Sequence, residues 1–320
     1  MKPCLLEARH LTKEFVLPRG KRVHAVSDVS LKLYEGETLA LVGESGCGKS
    51  TLGRTLLRLY EPTSGEIYFR GEEFKPKNER EMRKYRREMQ LIFQDPYASL
   101  NPRMTVRNLI AEPLVTYQKG KSKSEITAEV LKLMEAVGVP ADFLYRYPHQ
   151  FSGGQRQRIG IARAIALHPS LIICDEPVSA LDVSVQNQIL NLLKDLQSEF
   201  NLTYLFISHD LSVVRFLSDR VCIMFLGKLC EMGPTAEVYA HPMHPYTRFL
   251  LSAIPKPDPR TRTEQTELLT DELPSPIDPP SGCRFHTRCP YATERCREEE
   301  PVMHSVDGRM LACHYPLTDA

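Results

Sequence analysis

The feature that most constrains the fold of this chain is a glycine-rich loop, Gly43–Thr51, which reads Gly-Glu-Ser-Gly-Cys-Gly-Lys-Ser-Thr. The apolar run Thr38–Val42 comes directly before the loop, and leucines at helical spacing follow it from Leu52 onward. A short continuous apolar run is typical of a strand that is buried on both faces. The pattern therefore predicts a strand, a tight loop and a helix, which is the structural context of a phosphate-binding loop.

The residue types in this loop suit the phosphates of a nucleotide. Gly43, Gly46 and Gly48 let backbone N–H groups wrap the β- and γ-phosphates at a helix N-terminus, where the helix dipole favours negative charge. Lys49 would bring a positive charge to the phosphate oxygens, and the Ser50 hydroxyl would be a ligand of Mg²⁺. The other members of the loop are also candidate nucleotide contacts: Glu44, Ser45, Cys47 and Thr51.

Two carboxylates at the end of another apolar run suit the same chemistry. Asp175 and Glu176 directly follow the run Leu171–Cys174. A strand tip beside a phosphate-binding loop is where one carboxylate can hold Mg²⁺ and a second can polarise the attacking water. His209 takes a comparable place after the predicted strand Thr203–Ser208.

The order of the predicted elements indicates an α/β fold. Strands are expected within residues 5–42 and at Gly65–Arg70, Leu171–Cys174 and Thr203–Ser208. Helices are expected at Glu79–Met89, from Gly154 through Ala166 and from about Val185 to Phe200. This alternation predicts a mostly parallel sheet. Apolar residues at helical spacing between Gln94 and Phe151 predict a helical subdomain inserted in the core, at about residues 95–155.

The segment Phe151-Ser152-Gly153-Gly154-Gln155 narrows the class of protein. With the loop and this segment in order, roughly residues 5 to 250 resemble the ATP-binding cassette (ABC) ATPases. The resemblance implies a P-loop NTPase cassette with a RecA-like, mostly parallel sheet core, an antiparallel β subdomain and an inserted helical subdomain. It also implies that ATP and Mg²⁺ are bound between two subunits.

The resemblance assigns roles to residues outside the loop. It implies that Asp175 is the Mg²⁺ partner, that Glu176 is the catalytic base and that His209 contacts the γ-phosphate. Gln94 matches the family glutamine that senses Mg²⁺ and the attacking water.

The resemblance also implies contacts with a nucleotide held by the partner subunit. Asp182 belongs to a loop that contacts that subunit. Phe15, by its position upstream of the P-loop, is instead a candidate to stack on the adenine of the chain's own nucleotide. The signature segment would bind the γ-phosphate in trans through its members Ser152, Gly153, Gly154 and Gln155.

Three segments place the chain within one branch of the family. Gln90–Val106, His244–Thr247 and the proline-rich tail ending at Cys283 resemble the ATPases of oligopeptide, dipeptide and nickel importers. Glu44–Cys47 and Pro177–Ser179 resemble the second of the two unequal ATPase subunits, the F-type. The resemblance implies four kinds of partner: a second, non-identical ABC ATPase, two transmembrane permeases and an extracytoplasmic substrate-binding protein. Peptide is the expected substrate, with nickel and glutathione as alternatives.

Charge, length and motif count argue against other classes of protein. The 41 basic and 40 acidic side chains give a net charge of +1, so no nucleic-acid partner is expected. DNA-repair ABC ATPases carry coiled-coil insertions and translation-associated ones carry two cassettes, whereas this sequence shows no heptad run and one P-loop. The apolar runs are far shorter than the roughly 20 residues that span a bilayer, and the N-terminus has no secretory signal. We therefore expect a cytoplasmic chain, and the resemblance implies that its partners hold it as a peripheral protein at the cytoplasmic face of the inner membrane.

Four cysteines cluster at the C-terminus, at Cys283, Cys289, Cys296 and Cys313. Four thiolates can hold Zn²⁺ or an iron–sulfur cluster, and this spacing does not choose between them. The resemblance to peptide-importer ATPases implies a [4Fe–4S] cluster with these four ligands. The predicted organisation is an ABC ATPase domain at 1–250, a proline-rich connector at 251–282 and a four-cysteine module at 283–320.

Overall fold

The computed structural model describes residues 2–254 and 273–317. The chain divides into two compact units. The first, here named the P-loop unit, contains Cys4–Lys32, Thr38–Phe74 and the chain from Ser208 onward. The second, here named the helical unit, consists mainly of Lys75–Ile207.

An antiparallel sheet forms one part of the P-loop unit. Its strands, in the spatial order β2-β1-β4-β5, are β1 (Cys4–Val16), β2 (Arg22–Tyr34), β4 (Ser64–Phe69) and β5 (Glu72–Glu73). Strand β1 pairs with β4 from Leu6 opposite Phe69 to Thr12 opposite Ser64, with a shift in register between Arg9 and Thr12. This sheet corresponds to the predicted antiparallel β subdomain.

A second group of strands in the P-loop unit carries the phosphate-binding loop. Strand β3 (Thr38–Val42) runs parallel to β9 (Arg220–Phe225), with Val42 opposite Ile223. Strand β10 (Lys228–Pro234) is antiparallel to β9. The C-terminal strands β11 (His304–Val306) and β12 (Arg309–Leu311) continue the group, because β12 pairs antiparallel with β10.

Helices cover these strands and enclose an apolar core. The helices of the P-loop unit are α1 (Lys49–Leu56), α7 (Leu211–Leu217), α8 (Thr235–Ala240), α9 (Pro245–Ser252) and α10 (Glu294–Glu298). Buried side chains of β3, β9, α7 and α9 pack together, and Phe285 from the C-terminal segment joins them. Burial of this apolar surface is the main force that holds the C-terminal segment against the rest of the unit.

The helical unit is built around three parallel strands, β6 (Met89–Ile92), β7 (Leu171–Asp175) and β8 (Thr203–Ser208). All residues of β7 and β8 are buried, as expected for parallel strands covered on both faces. Its helices are α2 (Glu79–Glu88), α3 (Val106–Tyr117), α4 (Lys123–Ala136), α5 (Gly153–Ile165) and α6 (Val183–Phe200). Helices α3, α4 and α5 contact one another and form the predicted helical subdomain.

The predicted α/β cassette fold is confirmed, and the predicted strands at 38–42, 171–174 and 203–208 are all present. The structure adds β5, β6, β9, β10, β11 and β12, which the sequence analysis did not identify. The domain boundaries stay a prediction, and much of the connector at 251–282 lies outside the described residues. None of the helices in residues 2–254 and 273–317 is long and apolar enough to cross a membrane.

Candidate nucleotide-binding and catalytic site

The phosphate-binding loop connects β3 to α1 and depends on its glycines. Gly48 has a φ of +107°, and a Cβ added there would lie 2.0 Å from the carbonyl oxygen of Ala25. A Cβ on Gly43 would lie 2.1 Å from the carbonyl oxygen of Met224. Both distances are impossible contacts, so the strands around the loop accept only glycine at these positions.

The N-cap residue of α1 has no side chain that could accept a hydrogen bond from the first turn. Gly48 is the N-cap residue and provides no side-chain hydrogen bond. The other described helices of seven or more residues all have a side-chain acceptor at this position. Uncapped N–H groups at a helix N-terminus, inside a glycine-rich loop, are suited to bind an anion.

Lys49 supplies the positive charge of the loop. Its side chain is buried, and Nζ donates hydrogen bonds to the carbonyl oxygens of Gly43 at 2.8 Å and Glu44 at 2.9 Å. The loop thus holds an ammonium group beside the uncapped N–H groups of α1. This donor set fits the phosphates of ATP, and the hydroxyl of Ser50 in the first turn suits Mg²⁺.

The predicted acidic pair lies in the helical unit, where β7 ends. Asp175 is the last residue of β7 and is buried, whereas Glu176 is half-buried. The Glu176 N–H donates to the carbonyl oxygen of Ile207 at 3.0 Å. The side-chain amide of Gln94 donates to Oε2 of Glu176 at 2.9 Å. The structure therefore brings Gln94 together with the predicted base.

Glu176 has an unusual backbone conformation. Its φ is +47°, in the left-handed region that residues other than glycine seldom adopt. Such a conformation costs of order 1–3 kcal/mol and persists where the surrounding structure imposes it. Here the chain turns sharply out of β7, which directs the Glu176 carboxylate toward Gln94 instead of continuing the strand.

The signature segment opens helix α5. The Gln155 N–H donates to the Ser152 hydroxyl at 3.4 Å, and the Gln155 side-chain oxygen accepts from the Ser152 N–H at 3.1 Å. This reciprocal capping box satisfies two groups of the helix N-terminus. A Cβ on Gly154 would lie 2.3 Å from Val185, and Asp182 caps α6 by accepting from the Val185 N–H.

The glycines of the signature therefore allow α5 to approach α6 closely, with Gly153 facing Leu181 in the same way. The hydrogen bonds of Ser152, Gln155 and Asp182 found here lie within the helical unit. Binding of a γ-phosphate in trans by this segment stays a prediction.

Two further candidates lie in the P-loop unit. Phe15, at the end of β1, packs edge-to-face on Tyr60 with ring centroids 5.3 Å apart, and Lys13 Nζ is 4.9 Å from the centre of its ring. His209 directly follows β8 and is exposed. The adenine and γ-phosphate contacts assigned to these two residues stay predictions.

The sequence analysis missed two contacts of the loop residue Glu44. Its N–H donates to the hydroxyl of Tyr246 at 3.0 Å, and its carboxylate accepts two hydrogen bonds from Arg288. Both partners lie more than 200 positions away along the chain, at separations of 202 and 244 residues. A distance of this size leaves no local pattern in the sequence from which the contacts could have been inferred.

The prediction of a [4Fe–4S] cluster is corrected. In the part of the chain that the structure describes, no group of three or more His, Cys, Asp or Glu side chains is placed to hold a metal ion. The four C-terminal cysteines line one small cavity of about 20 Å³, together with aromatic side chains.

Burial also affects the acidity of these thiols. It raises the pKa of Cys289 to about 11 and of Cys313 to about 12, and it also raises the pKa of Cys283.

Comparison with known families agrees with the fold and the loop. Residues 26–179 match the family model described as "ABC transporter". Among solved structures, the ATP-binding cassette MJ0796, dimeric in a post-hydrolysis state bound to ADP and Pi, aligns with a TM-score of 0.66 and 30% identity, over 72% of this chain and 99% of that one. The fold and the site thus define this chain as an ATPase of the ABC class.

The particular family follows from the C-terminal part and from full-length relatives. Residues 230–296 match the model "Oligopeptide/dipeptide transporter, C-terminal region". The chain is 53% identical to the putative oligopeptide transport ATP-binding protein YkfD of Bacillus subtilis, over 97% of this chain and 95% of the relative. It is 50% identical to the dipeptide transport ATP-binding protein DppF of Haemophilus influenzae, over 97% and 96%. The chain belongs to the family of oligopeptide and dipeptide transport ATP-binding proteins.

Proposed function

We propose that this chain is the ATP-hydrolysing subunit of an ABC importer that carries peptides across the cytoplasmic membrane. The observation that carries the proposal is the loop between β3 and α1, where glycines with imposed geometry, an uncapped helix N-terminus and a buried Lys49 form a phosphate-binding set. Membership in the peptide-transport family supports the choice of transport over the alternative of a soluble ABC ATPase in DNA repair or translation.

We assign a task to each residue of the phosphate-binding loop and of the acidic pair with Gln94. The loop N–H groups and Lys49 bind and orient the phosphates, and Ser50, Gln94 and Asp175 would hold Mg²⁺. The metal ion, when bound, neutralises charge that develops on the phosphate oxygens. Glu176 accepts the proton of the attacking water as a general base. Gln94, which donates to the Glu176 carboxylate in this structure, orients that base and the water.

The signature segment is proposed to complete the site of a partner subunit. Ser152, Gly153, Gly154 and Gln155 would contact the γ-phosphate bound by that partner, with Asp182 on the same surface, while His209 contacts the γ-phosphate and Phe15 the adenine of the chain's own nucleotide. A capping box preorganises the Ser152 hydroxyl and the first N–H groups of α5. ATP binding would close the two subunits and hydrolysis would release them.

The partners of the chain are proposed from the family. They are a second, non-identical ABC ATPase, two transmembrane permeases and an extracytoplasmic binding protein, with this chain as the F-type ATPase at the cytoplasmic face of the inner membrane. The relatives named for oligopeptides and dipeptides have similar identities, 53% and 50%. Peptide is therefore proposed as the substrate class without a choice of length, and nickel and glutathione stay as alternatives.

Trapping of the assembly tests this proposal. A tagged Glu176→Gln chain is expressed in its native host and extracted from membranes in mild detergent with Mg-ATP, and the co-purifying proteins are identified by mass spectrometry. Recovery of a second ATPase and two permeases is the expected result. A matched Lys49→Ala preparation, which cannot bind ATP, should recover less of the closed assembly. A homodimer without membrane partners would refute the importer proposal.

A further inference from the structure

The C-terminal segment Gly282–Cys289 reaches the phosphate-binding loop through Arg288. Nη1 and Nη2 of Arg288 donate to the two carboxylate oxygens of Glu44, at 2.7 and 3.0 Å. The Arg288 side chain is 5% exposed and that of Glu44 is 22% exposed, so water screens this pair only partly. A two-point pair between a guanidinium and a carboxylate fixes the orientation of the carboxylate as well as its position.

Glu44 is held at its backbone as well as at its side chain. Its N–H donates to the hydroxyl of Tyr246 at 3.0 Å, and its carbonyl oxygen accepts from Lys49 Nζ at 2.9 Å. Because the ammonium of Lys49 is bound to the carbonyl groups of Gly43 and Glu44, the position of Glu44 sets where that ammonium lies before a phosphate arrives.

Arg288 is itself fixed by aromatic packing. The rings of Phe225, Tyr246 and Phe285 lie with centroids 4.8 to 5.3 Å apart. The guanidinium carbon of Arg288 lies 5.8 Å from the Phe225 ring and 5.7 Å from the Phe249 ring. The Arg288 N–H also donates to the carbonyl oxygen of Phe285 at 3.0 Å. These contacts hold the guanidinium of Arg288 in place where it binds the Glu44 carboxylate.

A second arginine of the segment supports the middle of the loop. Arg284 donates to the carbonyl oxygen of Leu226 and, at 2.9 Å, to the hydroxyl of Ser27. The next residue, Gly227, donates its N–H to the carbonyl oxygen of Cys47 in the loop at 2.8 Å. The segment thus contacts the loop directly through Glu44 and indirectly through the turn between β9 and β10.

We propose that Arg288 is a positioning residue for the phosphate-binding loop, and that docking of the segment Gly282–Cys289 sets the affinity of the loop for ATP. The inference rests on the proposed function, since it takes ATP as the ligand. The segment lies outside the cassette match at 26–179 and inside the C-terminal match at 230–296. ATP affinity would therefore depend on a part of the chain beyond the cassette itself.

The opposite charges of Glu44 and Arg288 predict how ATP affinity changes when one or both of them are removed. Glu44 places a negative charge in a loop that receives a polyanion, and Arg288 neutralises it. Without Arg288 the carboxylate would repel the phosphates and could also turn toward Lys49. Removal of Arg288 alone should therefore weaken ATP binding more than removal of both charges together.

The test measures Mg-ATP binding to the full-length chain by calorimetry, in a Glu176→Gln background that slows turnover. Arg288→Gln should raise Kd about tenfold, which is the loss expected for about one charge-assisted hydrogen bond. Glu44→Gln combined with Arg288→Gln should recover most of that loss. The matched control is Arg295→Gln, which removes an exposed ion pair with Glu299 at helix α10, beyond the segment, and should leave Kd unchanged.

Steady-state kinetics of ATP hydrolysis, in a chain that keeps Glu176, distinguish a positioning role of Arg288 from a general loss of structure. Arg288→Gln should raise KM for Mg-ATP about tenfold while kcat at saturation changes less than about threefold. Thermal unfolding without nucleotide checks that the variant is folded. If Arg288→Gln does not fold, Arg288→Lys takes its place, because lysine keeps the charge but cannot form the two-point pair. An intermediate Kd is then expected.

The two proposals fail in different ways. If the unsubstituted chain does not bind Mg-ATP, the proposed function is wrong. If the unsubstituted chain binds Mg-ATP and a folded Arg288→Gln or Arg288→Lys variant binds it with the same Kd, the positioning role is wrong and the proposed function stands. Equal weakening by the single Arg288→Gln variant and by the double variant would overturn the role of charge neutralisation.

Discussion

The amide of Gln94 donates to the carboxylate of Glu176 across 2.9 Å, although 82 positions separate the two residues in the sequence. Gln94 follows strand β6 and Glu176 follows strand β7, and these strands are parallel neighbours. The carboxyl ends of parallel strands meet at one edge of a sheet, so residues just beyond both ends come together. The predicted base therefore has a partner whose own position depends on the chain entering the helical subdomain.

Replacement of Glu176 by Gln should lower ATP hydrolysis by about 10²–10⁴-fold and leave ATP binding intact, because the amide keeps the shape of the side chain but cannot accept a proton. Phosphate release and Mg-ATP binding measure the two effects. The matched control is Glu199→Gln, an exposed carboxylate near the end of α6. Hydrolysis by Glu176→Gln at the rate of the unsubstituted chain would exclude Glu176 as the base.

Replacement of Gly48 by Ala should abolish ATP binding, because the new Cβ would lie 2.0 Å from the Ala25 carbonyl oxygen at a φ of +107°. Relief of that contact requires the loop to move away from β2. Gly120→Ala is the control for backbone strain alone, since its φ is +103° and nothing lies within 4 Å of the added Cβ. Mg-ATP binding should be lost in the first variant and kept in the second.

Replacement of Arg309 by Met should lower the free energy of unfolding by about 3 kcal/mol, the cost of leaving one partner of a buried ion pair without the other. Glu231 is fully buried, and Nη1 of Arg309 lies 3.4 Å from its Oε1. The two residues belong to the paired strands β10 and β12. Urea unfolding measures the loss. Arg295→Met breaks an exposed pair and should cost less than about 1 kcal/mol. Similar losses in both variants would contradict the prediction.

Stability should fall as the pH is lowered through the range from about 6.5 to about 4. His244 is fully buried, and burial lowers its pKa from 6.5 to about 4. The unfolded chain takes up a proton in this range and the folded chain does not, so acid favours unfolding, by about 3 kcal/mol at most. Above pH 6.5 this contribution to stability is fully present.

Urea unfolding at a series of pH values checks this prediction, with His244→Asn as the comparison. Asparagine can still cap α9, as the His244 ring does for the Tyr246 N–H, but it does not titrate. The pH dependence should therefore flatten in His244→Asn. It should persist in His304→Asn, which replaces an exposed histidine of β11. A slope unchanged by His244→Asn would assign the acid effect to other groups.

Local patterns in the sequence predicted the elements that carry the chemistry. The apolar runs at Thr38–Val42 and Leu171–Cys174 became buried parallel strands, and the glycine-rich loop became the turn between strand and helix. These predictions succeeded because burial on both faces demands a continuous apolar run, and because a left-handed backbone at Gly48 demands glycine. Short strands such as β12, with three residues, carry no such signal.

The cysteine prediction failed for a related reason. Spacing along the chain shows that four thiols can gather, but it does not show the cavity in which they lie. In the structure they line a cavity of about 20 Å³, and burial raises the pKa of those at Cys283, Cys289 and Cys313.

The sequence by itself determined the class of fold, the phosphate-binding loop and the acidic residues at the end of β7, because each depends on neighbours within a few positions. Tertiary structure alone decided which distant groups these residues meet: Gln94 for Glu176, and Arg288 and Tyr246 for Glu44. Contacts of this kind arise when packing of the aromatic core and pairing of strands bring remote segments together. No local pattern encodes them, because their energy is gained only after the chain has folded.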